Sequence, residues 1–127
     1  MIVNSEDTKP IYIQIAEWLE TEILNENIKP GEKVYSQYQL ADLFTINPAT
    51  AAKGITLLVN EEVLFKKRGL GTFVSANAKD IILLKRREQT LKKLVRELVV
   101  EAKRLDVSES ELVQLIKDAN KNKGDEA

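Results

Sequence analysis

Two helix starts crowd into the stretch from Ser36 to Pro48, and that crowding limits the fold more than any other feature of the chain. Ser36 followed by Gln39 is a capping box, in which the hydroxyl accepts from the backbone amide three residues on and the Gln side chain reaches back. Asn47-Pro48 is a second start, because Asn is a favoured N-cap and Pro at the first helical position has its φ already set. A helix of about Ser36 to Phe44 is thus followed, after only Thr45-Ile46, by another running to about Asn60. Two helices so joined must cross and pack on each other. In the second of them Ala51, Ile55 and Leu58 recur at i, i+4 and i+7 and form the inward side, which leaves Ala49, Thr50, Lys53 and Thr56 facing away.

The flanks supply the remaining elements. From Lys9 to Asn25 the stripe Tyr12, Ile15, Ala16, Leu19 and Ile23 predicts a first helix, with Thr8 as N-cap and Pro10 in its first turn. Pro30-Gly31 marks a turn before Val34-Tyr35. Past Asn60, Val63 to Phe65 is apolar, Lys66-Lys67-Arg68 is basic, Gly69-Leu70-Gly71 can turn, and Thr72-Phe73-Val74 has strand character, which predicts a β-hairpin with a basic tip. A linker is expected at Ser75 to Lys79, then a long helix of about Asp80 to Leu105. In it Leu84, Leu91, Leu98 and Leu105 recur every seven residues and Ile81, Val95 and Ala102 supply a second seam, which Glu88 interrupts; Leu94, Val99 and Val100 widen the stripe, so packing against more than one helix is expected rather than a two-stranded zipper. Ser108 with Glu111 predicts another capped helix carrying Leu112, Leu115, Ile116 and Ala119 on one face, before a frayed polar tail from Asn120 to Ala127.

Composition removes whole classes of function. With 127 residues, 43% hydrophobic and 31% charged, the chain can bury a core but has no room for a multidomain enzyme. It has no cysteine and no histidine, so disulfides, thiolate nucleophiles, imidazole bases and the usual transition-metal ligands are absent; no metal, cofactor or catalytic residue is expected. The longest apolar run is Ile81 to Leu84, and Met1 to Asp7 shows no basic stretch followed by a hydrophobic one, which predicts a cytoplasmic protein without membrane contact.

Three helices, the last two closely joined, and then a hairpin form a mainly α winged helix-turn-helix, expected over residues 1–76, with a two-helix dimerisation region over 77–127. The residues Pro10-Ile11-Tyr12-Ile13-Gln14-Ile15, Lys29-Pro30-Gly31, Ser36, Leu40-Ala41, Asn47-Pro48-Ala49-Thr50 and Arg68-Gly69-Leu70-Gly71-Thr72-Phe73-Val74 resemble the GntR family of bacterial transcription regulators over about 9–76. The short helical remainder resembles its YtrA subfamily. The resemblance implies a repressor that binds double-stranded DNA.

It also implies roles. Ser36 would hold a phosphate at the start of the second helix, or serve only as its cap. Asn47, Ala49, Thr50 and Lys53 would meet phosphates or base edges, with capping the competing role for Asn47. Lys67, Arg68 and Gly69 would form the wing tip, against the alternative of a solvated charge run. Tyr38 stands where the family has arginine; it can donate to a phosphate but cannot make a guanidinium's bidentate contact to guanine. Tyr35 replaces a proline, Glu62 a glycine, and Ala51 and Gly54 larger residues.

Residues 1–77 hold seven cations and ten anions, a net charge of −3, so any DNA contact must be organised on one face. Two such contacts need a homodimer, whose interface is expected at Leu84, Leu91, Leu94, Val95, Leu98 and Leu105; the alternative is that these leucines pack on the first helix of a monomer. A small-molecule effector, if one acts, is expected between domains or at that interface, with Ser75 to Lys79 as hinge. A protein-interaction adaptor without DNA binding is the second hypothesis. An enzyme is the weakest, since Glu61-Glu62 has no partners for chemistry and suits an exposed turn.

Overall fold

The computed structural model describes residues 8–122. The frayed tail expected to Ala127 and the Met1–Asp7 segment fall largely or wholly outside those residues. The element order is α1 (Ile11–Leu24), α2 (Gln37–Phe44), α3 (Pro48–Asn60), β1 (Leu64–Lys67), β2 (Gly71–Val74), α4 (Ala78–Lys85), a π-helical segment (Arg86–Leu91), α5 (Lys92–Arg104) and α6 (Glu109–Lys121). The chain divides into two compact units, residues 1–85 and 86–127.

Local hydrogen bonding explains where α2 and α3 start. Ser36 Oγ accepts from the Gln39 amide at 3.1 Å and Gln39 Oε1 accepts from the Ser36 amide at 2.8 Å. Asn47 Oδ1 accepts from the Ala49 amide at 2.8 Å, with Pro48 as the first helical residue. α1 departs from expectation: Pro10 rather than Thr8 occupies its N-cap, without a side-chain bond, and the Pro10 carbonyl accepts from Ile13 and Gln14. Proline has no amide of its own to be satisfied, so the helix begins there without a capping hydroxyl.

The core of the first unit lies where α1, α2, α3 and the hairpin meet. Ile15, Leu19, Leu40, Leu58, Val63, Leu64 and Val74 are shut away from solvent, each worth about 1.5–3 kcal/mol of transfer free energy. α1 and α3 approach unusually closely. A Cβ on Gly54 would lie 2.9 Å from the Tyr12 carbonyl oxygen and 3.3 Å from Ile15 Cγ2, so the helix pair has no space for any side chain at that position. The Thr45 turn between α2 and α3 (φ 55°) and Glu62 before β1 (φ 65°) are left-handed, the latter where the resemblance expects glycine. Each such residue stores about 1 kcal/mol of strain.

β1 and β2 pair antiparallel, Leu64 with Val74 through Lys67 with Gly71. A third stretch joins them unannounced by the sequence: the Val34 amide donates to Thr72, the Val74 amide to Glu32 and the Gly31 amide to Val74, with a bridge between Lys33 and Phe73.

The segment expected to be a linker is packed. Ala78 and Ile82 are fully buried, the Ser75 amide donates to Val63 and the Ala78 amide to Ser75, so α4 belongs to the first unit, which runs past the expected 76/77 boundary to Lys85. Ala78 and Lys79, expected in the linker, are instead the first residues of α4. Glu61, expected in an exposed turn, is half-buried and paired. The ammonium of Lys85 sits between the buried carboxylate of Glu20 and Glu61 Oε1, 2.9 Å away. Burial disfavours the Lys85 charge, but the hydrogen bonds and charges of Glu20 and Glu61 outweigh it, so its pKa is held above the ordinary lysine value.

In the second unit the single long helix of the sequence is interrupted. The π-helical turns of Arg86–Leu91 break the seven-residue register between Leu84 and Leu91. Ser108 caps α6 by accepting from the Glu111 amide at 3.1 Å, while the Glu111 carboxylate bonds the Ser108 hydroxyl rather than its amide. α6 continues past Asn120 to Lys121. Among the described residues of this unit Ala102 alone is buried.

Gly54→Ala should lower stability by about 1–3 kcal/mol through overpacking instead of adding the roughly 1 kcal/mol that helix propensity offers; denaturant melting reads the sign directly.

Candidate nucleic-acid interface

Because α3 buries Ala51, Gly54, Ile55 and Leu58, the opposite side is turned outward by geometry alone. Ala49 and Lys53 are exposed and Thr50 is half-buried. The Lys53 ammonium lies 4.5 Å from the centre of the Tyr12 ring on α1, a cation–π contact that restrains a long side chain before any ligand arrives. Asn47 opens the same face and spends one oxygen lone pair on its capping bond, which leaves its amide nitrogen available.

The wing is a rigid cationic finger. Phe65 and Phe73 stack across the strands with ring centres 5.9 Å apart, and the Lys67 ammonium sits over them, 4.8 Å from Phe73 and 5.7 Å from Phe65. The Leu70 amide closes the tip by donating to the Lys67 carbonyl, with Arg68 exposed and Gly69 at φ 78°, a conformation that glycine adopts without strain.

Between the start of α2, the flank of α3 and the wing lies a cleft of about 400 Å³. It takes in Ser36, Tyr38 and Gly69 of the expected residues, while Asn47, Ala49, Thr50, Lys53, Lys67 and Arg68 lie outside its lining. Tyr38 is 67% exposed, so its hydroxyl is presented to solvent. The Ser36 amide is already engaged by Gln39, and the first-turn amides of Gln37 and Tyr38 are the donors that a helix start leaves without an internal acceptor.

Lys33, Thr56 and Lys66 also line the cleft, and of these only Lys33 has no site role in the sequence pattern. Thr56 and Lys66 were legible as an outward residue of α3 and a wing cation; Lys33 was not, because its place depends on the bridge to Phe73. The cleft is lined by Lys33 and Lys66 and no carboxylate. Of the acids that make the sequence total negative, Glu17, Glu20 and Glu22 stand on α1, and Glu20 and Glu61 pair with Lys85. The local field is thus positive where the whole count is not.

Three helices in this order, an outward polar face on the third and a cationic hairpin beside it define a winged helix-turn-helix, the architecture of a class of DNA-binding regulators. The chain belongs to the gntR family of bacterial regulatory proteins, whose model matches residues 11–74. It is a DNA-binding transcription regulator of YtrA type. It is 30% identical over 116 residues to the HTH-type transcriptional repressor YtrA of Bacillus subtilis, covering 91% of this chain and 88% of that one. It is 39% identical over 75 residues to the repressor NagR of the same organism, covering 59% of this chain but only 31% of NagR. The DNA-binding domain of AraR in complex with its operator superposes with a TM-score of 0.54 at 29% identity, over 59% of this chain and 95% of that one. These relatives are transcription regulators, and nothing among them favours the adaptor alternative.

Lys53→Ala should weaken DNA binding about tenfold while stability moves by no more than about 0.5 kcal/mol, the size of one exposed cation–π contact. Fluorescence anisotropy and thermal melting on the same sample check both.

Proposed function

We propose that the chain is a cytoplasmic, homodimeric repressor that lays α3 of each subunit in successive major grooves of a pseudo-palindromic operator and sets the wing tip against the flanking backbone. The observation that carries this reading is the outward face of Thr50 and Lys53 standing beside a cleft lined by lysines without acids. Ser36, Tyr38, Lys67, Arg68 and Gly69 take phosphates; Asn47, Ala49, Thr50 and Lys53 face base edges. No helix among the described residues is long and apolar enough to cross a membrane. YtrA and NagR are both named as repressors, which supports repression by exclusion of polymerase here.

The second copy is argued from exposure. Leu91, Leu94, Val95 and Leu98 are 42–56% exposed, Leu84 and Leu105 more so, and Leu115 and Ile116 of α6 join them. Two helices with one buried alanine cannot hold themselves in shape, so this apolar face requires a partner of equal character. A like chain supplies it by two-fold symmetry, and linking two modest half-site contacts raises affinity through effective concentration.

Leu98→Asp should convert dimers to monomers in sedimentation and reduce operator affinity by about a hundredfold. A variant that remained dimeric would place the interface elsewhere. Neutralising Lys67 and Arg68 together should reduce the salt dependence of DNA binding by roughly 2 in log–log slope. A flat salt response of the unaltered protein would contradict DNA binding through these cations.

A further inference from the structure

Among the described residues Glu20 is the one charged side chain shut away from solvent, 1% exposed, and DNA recognition makes no use of it. Its partner is the ammonium of Lys85, 22% exposed, which also reaches Glu61. Glu20 lies on α1, Glu61 is the C-cap of α3, and Lys85 is the last residue of α4. One ammonium therefore ties the helix that leaves the winged unit to the end of the helix that faces DNA.

Apolar packing does only part of that task. Ala78 and Ile82 bury the start and middle of α4, but beyond them Leu83 and Leu84 are 40% and 63% exposed. The Lys79 pair with Glu26 is open to solvent on both sides and worth little. In the last turn of α4 the inward groups are Ile82 and, at its very end, Lys85. Apolar contacts permit rolling, whereas a hydrogen-bonded buried ion pair is directional, and its benefit to stability over apolar residues of like volume is small or negative. Its position is also telling: Lys85 is the final residue of the first unit, and π-helical hydrogen bonding begins at Arg86.

We propose that Lys85, held between Glu20 and Glu61, is a positioning residue for operator reading: it locks the direction in which the chain leaves the winged unit to the end of α3, and thereby sets the half-site spacing that the protein accepts. This rests on the homodimer reading above. The groove fixes α3, so any play between α3 and the exit from α4 becomes play between the two half-sites.

The test uses the full chain and duplexes carrying one half-site, two half-sites at optimal spacing, or two with one or two base pairs inserted. The unaltered protein should lose about a hundredfold in affinity on insertion. The paired variant Glu20→Leu/Lys85→Met, which removes both charges and fills the volume, should melt near the unaltered protein, stay dimeric and bind the single half-site equally, yet lose less than about fivefold on insertion. Glu61→Gln, which leaves no buried charge unpaired, should fall between the two and decides the matter if the paired variant does not fold. A purely structural role would move melting and half-site binding and leave the spacing preference intact. Retention of the full insertion penalty in the folded variants overturns the clamp while the dimer stands. An unaltered protein that sediments as a monomer, or gains nothing from a second half-site, overturns the dimer reading and the clamp with it.

Discussion

The close approach of α1 and α3 at Gly54 governs everything that this molecule presents to a ligand. With no Cβ at 54, the α3 backbone comes to the Tyr12 carbonyl, and Ala51, Ile55 and Leu58 seal the contact around it. A helix pinned that tightly along one side has no freedom to roll. Thr50 and Lys53 are therefore turned outward by the burial of their neighbours. The Tyr12 ring meets the Lys53 ammonium only because α1 lies so near. The resemblance expects a larger residue at 54, and this helix pair has no space for one.

Electrostatics follow from that arrangement rather than from composition. A chain with net charge −1 is a poor candidate for coating nucleic acid. Folding sorts its charges: Lys33 and Lys66 gather around the cleft, Lys67 is steadied over two stacked rings, and Glu20 and Glu61 are spent on Lys85. What remains on the recognition face is a small, oriented set of cations. Such a surface favours a defined duplex geometry over indiscriminate attraction.

Much of this was legible in the residues, and the limit of legibility was physical. Ser36 with Gln39, and Asn47 with Pro48, announce α2 and α3 because a cap is satisfied within three residues of itself. The heptads and the basic hairpin were visible for the same local reason. Lys33 was not, because one bridge to Phe73, forty residues on, decides its place. The packing of Ala78 is not legible in its own segment, because α4 is recruited by a hydrophobic core assembled from distant helices. The Glu20, Lys85 and Glu61 cluster joins three elements and leaves no periodic trace. The π-helical segment Arg86–Leu91 holds Glu88, which interrupts the second seam, but a polar residue in a seam does not by itself specify a wider turn.

The unit of recognition in this account is a pair of outward α3 faces held at a fixed separation. Repeated selection of bound duplexes from a random pool, with the full-length chain as bait, tests that idea most directly. Enrichment of an inverted repeat whose half-sites keep one constant separation is the expected product, since two-fold symmetry in the protein must be mirrored in the DNA. Recovery of an unenriched pool, or of a single asymmetric motif bound by one subunit, would contradict it.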